Sequence, residues 1–132
     1  MTRRVRVALV VCLILTPLVA WAGSPHMVSC TQSVSGNTLT VDGKEAGLGD
    51  ETQVQVVLTA EAQCINPGDH HPKAVNKESV TAVGTFPVQN GMAVFVLSAT
   101  ATFQPSCSPP MSVVFTEVTA CDIAHGACCS FF

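Results

Sequence analysis

The sequence predicts an all-β fold: a small antiparallel β-sandwich, stapled by disulfides. Three observations carry that expectation. Apolar residues recur with period two in several runs and nowhere with the 3.6 period of a helix. Glycine, proline and asparagine punctuate those runs at short intervals, as turns between strands do. Six of the seven cysteines lie beyond an N-terminal export segment, an even number of the kind that frames a disulfide scaffold.

The export segment has three parts. Arg3, Arg4 and Arg6 form a basic start, Ala8 to Ala20 is apolar, and Ala20-Trp21-Ala22 is a small-x-small cleavage site. Residues 1–22 are therefore expected to be a signal peptide, and residues 23–132 a single sandwich domain. All three arginines leave with the leader, so Lys44, Lys73 and Lys77 face nine acids and the net charge becomes −6. An acidic, arginine-free domain has no electrostatic footprint for nucleic acid and none for an anionic membrane surface. The expected location is extracellular or periplasmic, with no stable membrane insertion of the mature chain.

The elements follow in order. Val28–Val34 reads as a short strand and Ser35-Gly36-Asn37 as a turn. Thr38–Asp42 alternates, with Leu39 and Val41 on one side, and Gly43–Glu51 reads as a loop of glycines and acids. Thr52–Cys64 is the clearest strand. Val54, Val56, Leu58, Ala60 and Ala62 share one face, and Gln53, Gln55, Thr59, Glu61 and Gln63 share the other. Ile65–Glu78 is a polar connection held by Pro67 and Pro72.

Val80 to Phe103 comprises two alternating runs around Asn90-Gly91, the dipeptide that suits a type I′ turn because both central positions need φ > 0. A hairpin is expected there. Gln89 would face Met92, Phe86 would face Phe95, and Gly84 would face Leu97, with Val80, Ala82, Phe86, Val88, Phe95 and Leu97 on one face. Gln104–Pro110 is a proline-rich loop. Met111–Ile123 is the last strand, and its apolar residues Val113, Phe115 and Val118 change parity, which a bulge or burial on both faces explains. His125–Phe132 reads as a cysteine-rich tail.

Six or so short strands in this order imply two sheets packed face to face, an immunoglobulin-like arrangement, with a small barrel as the alternative. The core tryptophan of true immunoglobulin domains is missing, since Trp21 leaves with the leader. Antiparallel succession places the connections. Cys64 and Cys107 fall at the end opposite Asn90-Gly91 and are expected to pair, closing a loop of about 43 residues for roughly 4 kcal/mol in the chain-entropy model. Cys30, Cys121, Cys128 and Cys129 fall at the other end. Cys30 is expected to bond one of the tail pair and Cys121 the other, with a vicinal Cys128–Cys129 bond ranked last because its ring is strained.

Candidate sites are few. Asp69-His70-His71 offers ligands suited to zinc or copper in a proline-fenced loop, although adjacent side chains in an extended segment point apart. Asp42, Glu45, Asp50 and Glu51 offer oxygen ligands for calcium but lack the spacing of a calcium loop. No sequence signature of a hydrolase, metalloprotease or nucleotide-binding loop is present. The expectation is a non-catalytic binding or surface-interaction module with no cofactor, whose partner is a protein, a surface glycan or the chain itself. Metal binding through the histidine loop is the rival. The contact surface is expected at the end formed by Ile65–Glu78 and Gln104–Pro110.

Overall fold

The computed structural model describes residues 24–66 and 76–131. The expected leader and the loop carrying Asp69, His70 and His71 lie outside the described residues. Among the described residues seven strands follow one another: β1 (His26–Ser35), β2 (Thr38–Ala46), β3 (Gln53–Ile65), β4 (Lys77–Pro87), β5 (Ala93–Thr100), β6 (Ser112–Asp122) and β7 (Ala127–Phe131). They form two antiparallel sheets, one in the order β1-β2-β5 and the other β4-β3-β6-β7. The inward faces meet over one apolar cluster. Leu39 and Val41 of β2 and Phe95 and Leu97 of β5 enter from the first sheet; Val56 and Leu58 of β3 and Val118 and Ala120 of β6 enter from the second. Phe95 is the largest fully buried side chain among the described residues. With so few aromatics, the interior is filled mainly by Val, Leu and Ala.

Asn90 and Gly91 take φ of 53° and 73°, as the type I′ turn requires, and Gln89 bridges Met92. The hairpin expected to extend from that turn does not form. β4 pairs along its length with β3, and β5 pairs with β2, so the turn passes the chain from one sheet to the other. Phe86 and Phe95 do meet, with ring centroids 6.1 Å apart, but across the core rather than side by side. The inward parity is the same in either arrangement, because both strands bury their apolar sets against a common interior. What differs is the choice of neighbour. β3 is two residues longer than β4 and alternates throughout, and it takes β4 as a partner over eleven residue pairs.

Two further expectations need correction. The segment from Gly43 is strand, not loop, as far as Ala46. Gly43 is a strand glycine of close approach: a Cβ there would sit 2.5 Å from the Phe95 ring and 2.7 Å from the Ser29 carbonyl oxygen. The cysteine-rich tail contains a strand, β7, paired with β6 from Val118↔Phe131 to Asp122↔Ala127.

In β6 the parity change arises from a bulge. Thr59 pairs with Thr119 but Glu61 with Thr116, so Glu117 and Val118 together oppose Ala60. Glu117 takes φ of 52°, and beyond it Val118, Ala120 and Asp122 point inward.

Among the described residues three disulfides hold the fold: Cys30–Cys129, Cys64–Cys107 and Cys121–Cys128. Cys121 and Cys128 are directly opposed on β6 and β7. Cys129, one residue on, points to the other side of the sheet and reaches β1 of the facing sheet, so period two sends the two adjacent cysteines to different partners. Such a set of intramolecular bonds belongs to an oxidising compartment. Among the described residues no helix is long and apolar enough to cross a membrane.

Candidate functional site

The end bearing the Asn90-Gly91 turn gathers a cluster of ionisable groups. Glu45 lies on β2 at the same parity as Leu39 and Val41, so its side chain enters the interior, where it is completely buried. Its two carboxylate oxygens accept no hydrogen bond from any described residue. Asp122, beyond the β6 bulge, is likewise completely buried. The tight turn after it brings His125 back: the His125 backbone N–H donates to Asp122 Oδ1 at 3.3 Å, and the ring Nδ1 meets Asp122 Oδ2 at 2.7 Å. The other ring nitrogen, Nε2, lies 3.4 Å from Glu51 Oε1. The imidazole thus bridges the β6–β7 turn to the Gly47–Glu51 loop. That loop is itself held by a hydrogen bond from Leu48 N–H to the Gly91 carbonyl.

The electrostatics follow from this geometry. Burial, and after it the neighbouring Asp122 carboxylate, push the Glu45 carboxyl up to about 7, while the positive charge of His125 pulls the other way. His125 is raised above its ordinary value chiefly by its hydrogen bond to Asp122, with Glu51 adding to it. An open depression of about 420 Å³ lies over this cluster, lined by Pro25, Leu48, Asp50, Glu51 and His125. Chemically the cluster sets a buried carboxyl raised to about 7 behind a histidine that locks two turns together through its contacts with Asp122 and Glu51. None of its groups is set beside a serine, threonine or cysteine nucleophile among its hydrogen-bond partners.

The four carboxylates singled out in the sequence do not converge on one metal site; only Glu45 and Glu51 belong to the cluster around His125. Asp42 lies on the outer face of its sheet, where it accepts a hydrogen bond from Thr31 Oγ1 at 2.6 Å. Glu45 faces the opposite way, into the core, and Asp50 and Glu51 are exposed. Among the described residues no three His, Cys, Asp or Glu side chains are placed to hold a metal ion. Asp122 and His125 are not among the sequence candidates, because a tail without strand pairing gives them no reason to meet. A signal for them exists: a polar residue on the inward parity of β2 (Glu45) and an Asp-x-x-His spacing at the turn before a second alternating run.

At the other end, the Cys64–Cys107 bond ties the end of β3 to the Gln104–Pro110 loop. Gln104, Pro105, Ser106, Ser108, Pro109 and Pro110 are all exposed. A smaller concavity of about 300 Å³ on the outer face of the four-stranded sheet is lined by Thr59, Glu61, Ser79, Thr81 and Glu117. It sits at the β6 bulge, where the positive φ of Glu117 re-aims that carboxylate.

No protein-family model, curated protein or solved structure matches this chain.

Proposed function

We propose that the chain is an exported, non-catalytic immunoglobulin-like sandwich that works as a binding module, presenting recognition loops on a covalently stiffened scaffold. The observation that carries this reading is the Cys64–Cys107 bond, which fixes a proline-rich loop, exposed apart from Cys107, to the end of β3. A fixed loop loses little conformational entropy on contact, so its side chains are available for recognition at low ordering cost. The strand order supports the immunoglobulin-like description. β1-β2-β5 faces β3-β6-β7 as the A-B-E set faces C-F-G, with the fourth strand added to the second sheet beside β3. The disulfides support an extracellular or periplasmic location.

The test is a direct binding assay with mature, oxidised protein on a glycan array and on intact surfaces of the source cell, read beside a Gln104→Ala, Ser106→Ala, Ser108→Ala variant. These three side chains are exposed, so the variant is expected to melt with the parent. Loss of binding in the variant with an unchanged melting curve supports the reading. Binding that is undiminished in the variant, or turnover of any screened substrate by pure protein, overturns it.

A further inference from the structure

β5 is an edge strand of the three-stranded sheet, and the main-chain groups on its open side form a regular array. The Ala101 N–H donates to the Asn37 carbonyl at 2.9 Å, in the same register as Thr38↔Thr100 and Leu39↔Ala99. Hydrogen-bonded pairs recur at every second residue of an antiparallel ladder. Ala93, Phe95, Leu97 and Ala99 therefore direct their N–H and C=O groups to β2. Val94, Val96, Ser98 and Thr100 direct theirs outward. Both ends of this open array are closed. At one end Met92 exchanges two hydrogen bonds with Gln89, at 2.8 and 3.0 Å, and at the other the Thr102 N–H donates to Glu78 Oε2 at 2.9 Å. Between these caps, no described residue pairs with the main chain of the four outward residues.

The other three edges carry devices that discourage strand addition. β1 has a bulge between Met27 and Ser29. β4 carries Lys77, Glu78, Gly84 and Pro87, and β7 is five residues long. β5 has eight residues without charge, proline, glycine or bulge, and its outward side chains Val94 and Val96 are 66% and 57% exposed.

We infer that β5 is a homodimerisation edge, pairing antiparallel with β5 of a second copy about a two-fold axis at Leu97. Only that register uses the whole open array of both copies: Val94 opposes Thr100 of the other copy, Val96 opposes Ser98, and each pair exchanges two main-chain hydrogen bonds. The absence of charge on β5 removes the repulsion that an identical charged strand would meet. The product is a continuous sheet in the order β1-β2-β5-β5-β2-β1. Neither the loop tied by Cys64–Cys107 nor the His125 cluster is part of this surface, so the inference stands apart from the proposed recognition loops.

The experiment is sedimentation velocity on the mature, oxidised protein from micromolar to millimolar concentration. Alongside it run Val96→Lys and Val83→Lys, the latter an equally exposed control on β4. Wild type is expected to form a concentration-dependent dimer, Val96→Lys to weaken it more than tenfold, and Val83→Lys to leave it unchanged. Mixing Val96→Lys with Val96→Glu is expected to restore a dimer, because these side chains lie diagonally across the axis. Amide exchange supplies a second readout that needs no variant: on dimerisation protection rises at Val94, Val96, Ser98 and Thr100 and not at Phe95, Leu97 or Ala99. A wild-type monomer at all concentrations, a dimer indifferent to Val96→Lys, or protection gained elsewhere overturns the inference.

Discussion

Glu45 is the residue whose replacement is most informative, because its cost to the fold depends on pH in a direction the structure dictates. The carboxyl is completely buried, its oxygens accept no hydrogen bond from a described residue, and its pKa rises from 4.5 to about 7. A carboxyl raised in the folded state holds a proton there that the unfolded chain has already released. Its contribution is therefore fully present below pH 4.5 and lost as pH rises through 7. At about 1.36 kcal/mol per pKa unit the whole shift corresponds to about 3 kcal/mol, and the fraction expected in solution is roughly 2 kcal/mol once relaxation around the carboxylate is allowed. A glutamine in its place has the shape of the protonated acid and an amide that can donate toward Asp122. Glu45→Gln is expected to be near neutral at about pH 4.5 and stabilising by roughly 2 kcal/mol at about pH 8, flattening the pH dependence of urea unfolding between those values. The residual slope belongs to His125, also raised, whose stabilisation is complete below pH 6.5 and fades as pH climbs past its folded value. The assay is equilibrium urea unfolding of both proteins, disulfides intact, from about pH 4 to about pH 9. Parallel curves for parent and variant, or a variant less stable at the alkaline end, would refute the reasoning.

Gly43→Ala is expected to destabilise by about 2–3 kcal/mol, since the new methyl meets the Phe95 ring and the Ser29 carbonyl at sub-contact distance; a melting point within a degree or two of the parent contradicts the close-approach reading. Removing disulfides one at a time by Cys→Ser pairs is expected to rank their losses by loop length. Cys30–Cys129 (separation 99) is worth about 4.7 kcal/mol, Cys64–Cys107 (43) about 4 and Cys121–Cys128 (7) about 2.4 in the chain-entropy model, and chemical denaturation of the three double mutants reads that order. Chelator is expected to leave the melting curve unchanged; a rise with zinc or copper that disappears in His70→Ala with His71→Ala would move the functional reading to the histidine loop.

Local chemistry is legible along much of the chain because it acts over a few residues. The alternation of Val54, Val56, Leu58, Ala60 and Ala62 announces β3 whatever it pairs with, and Asn90-Gly91 announces its turn. The parity break between Phe115 and Val118 announces the irregularity that the structure resolves as a bulge at Glu117. The His125 cluster is not legible in the same way. Its members are far apart in sequence, and Gly43, which makes room for Phe95, looks in the sequence like a turn residue that would end β2 before Glu45.

By itself, then, the sequence determined which residues are strand over most of the chain, which side of each strand is apolar, and that the chain depends on paired cysteines. These follow from period two, turn chemistry and the even cysteine count, all properties of neighbours in the chain. Tertiary structure alone decided which strands are neighbours. Either partner for β4 and β5 buries the same inward set, Val80 and Phe86 with Phe95 and Leu97, so the apolar pattern is indifferent between a hairpin within one sheet and a turn between two. In the structure both strands gain full ladders, β4 over eleven pairs with β3 and β5 over eight pairs with β2. That choice of neighbours is also what leaves β5 at an edge.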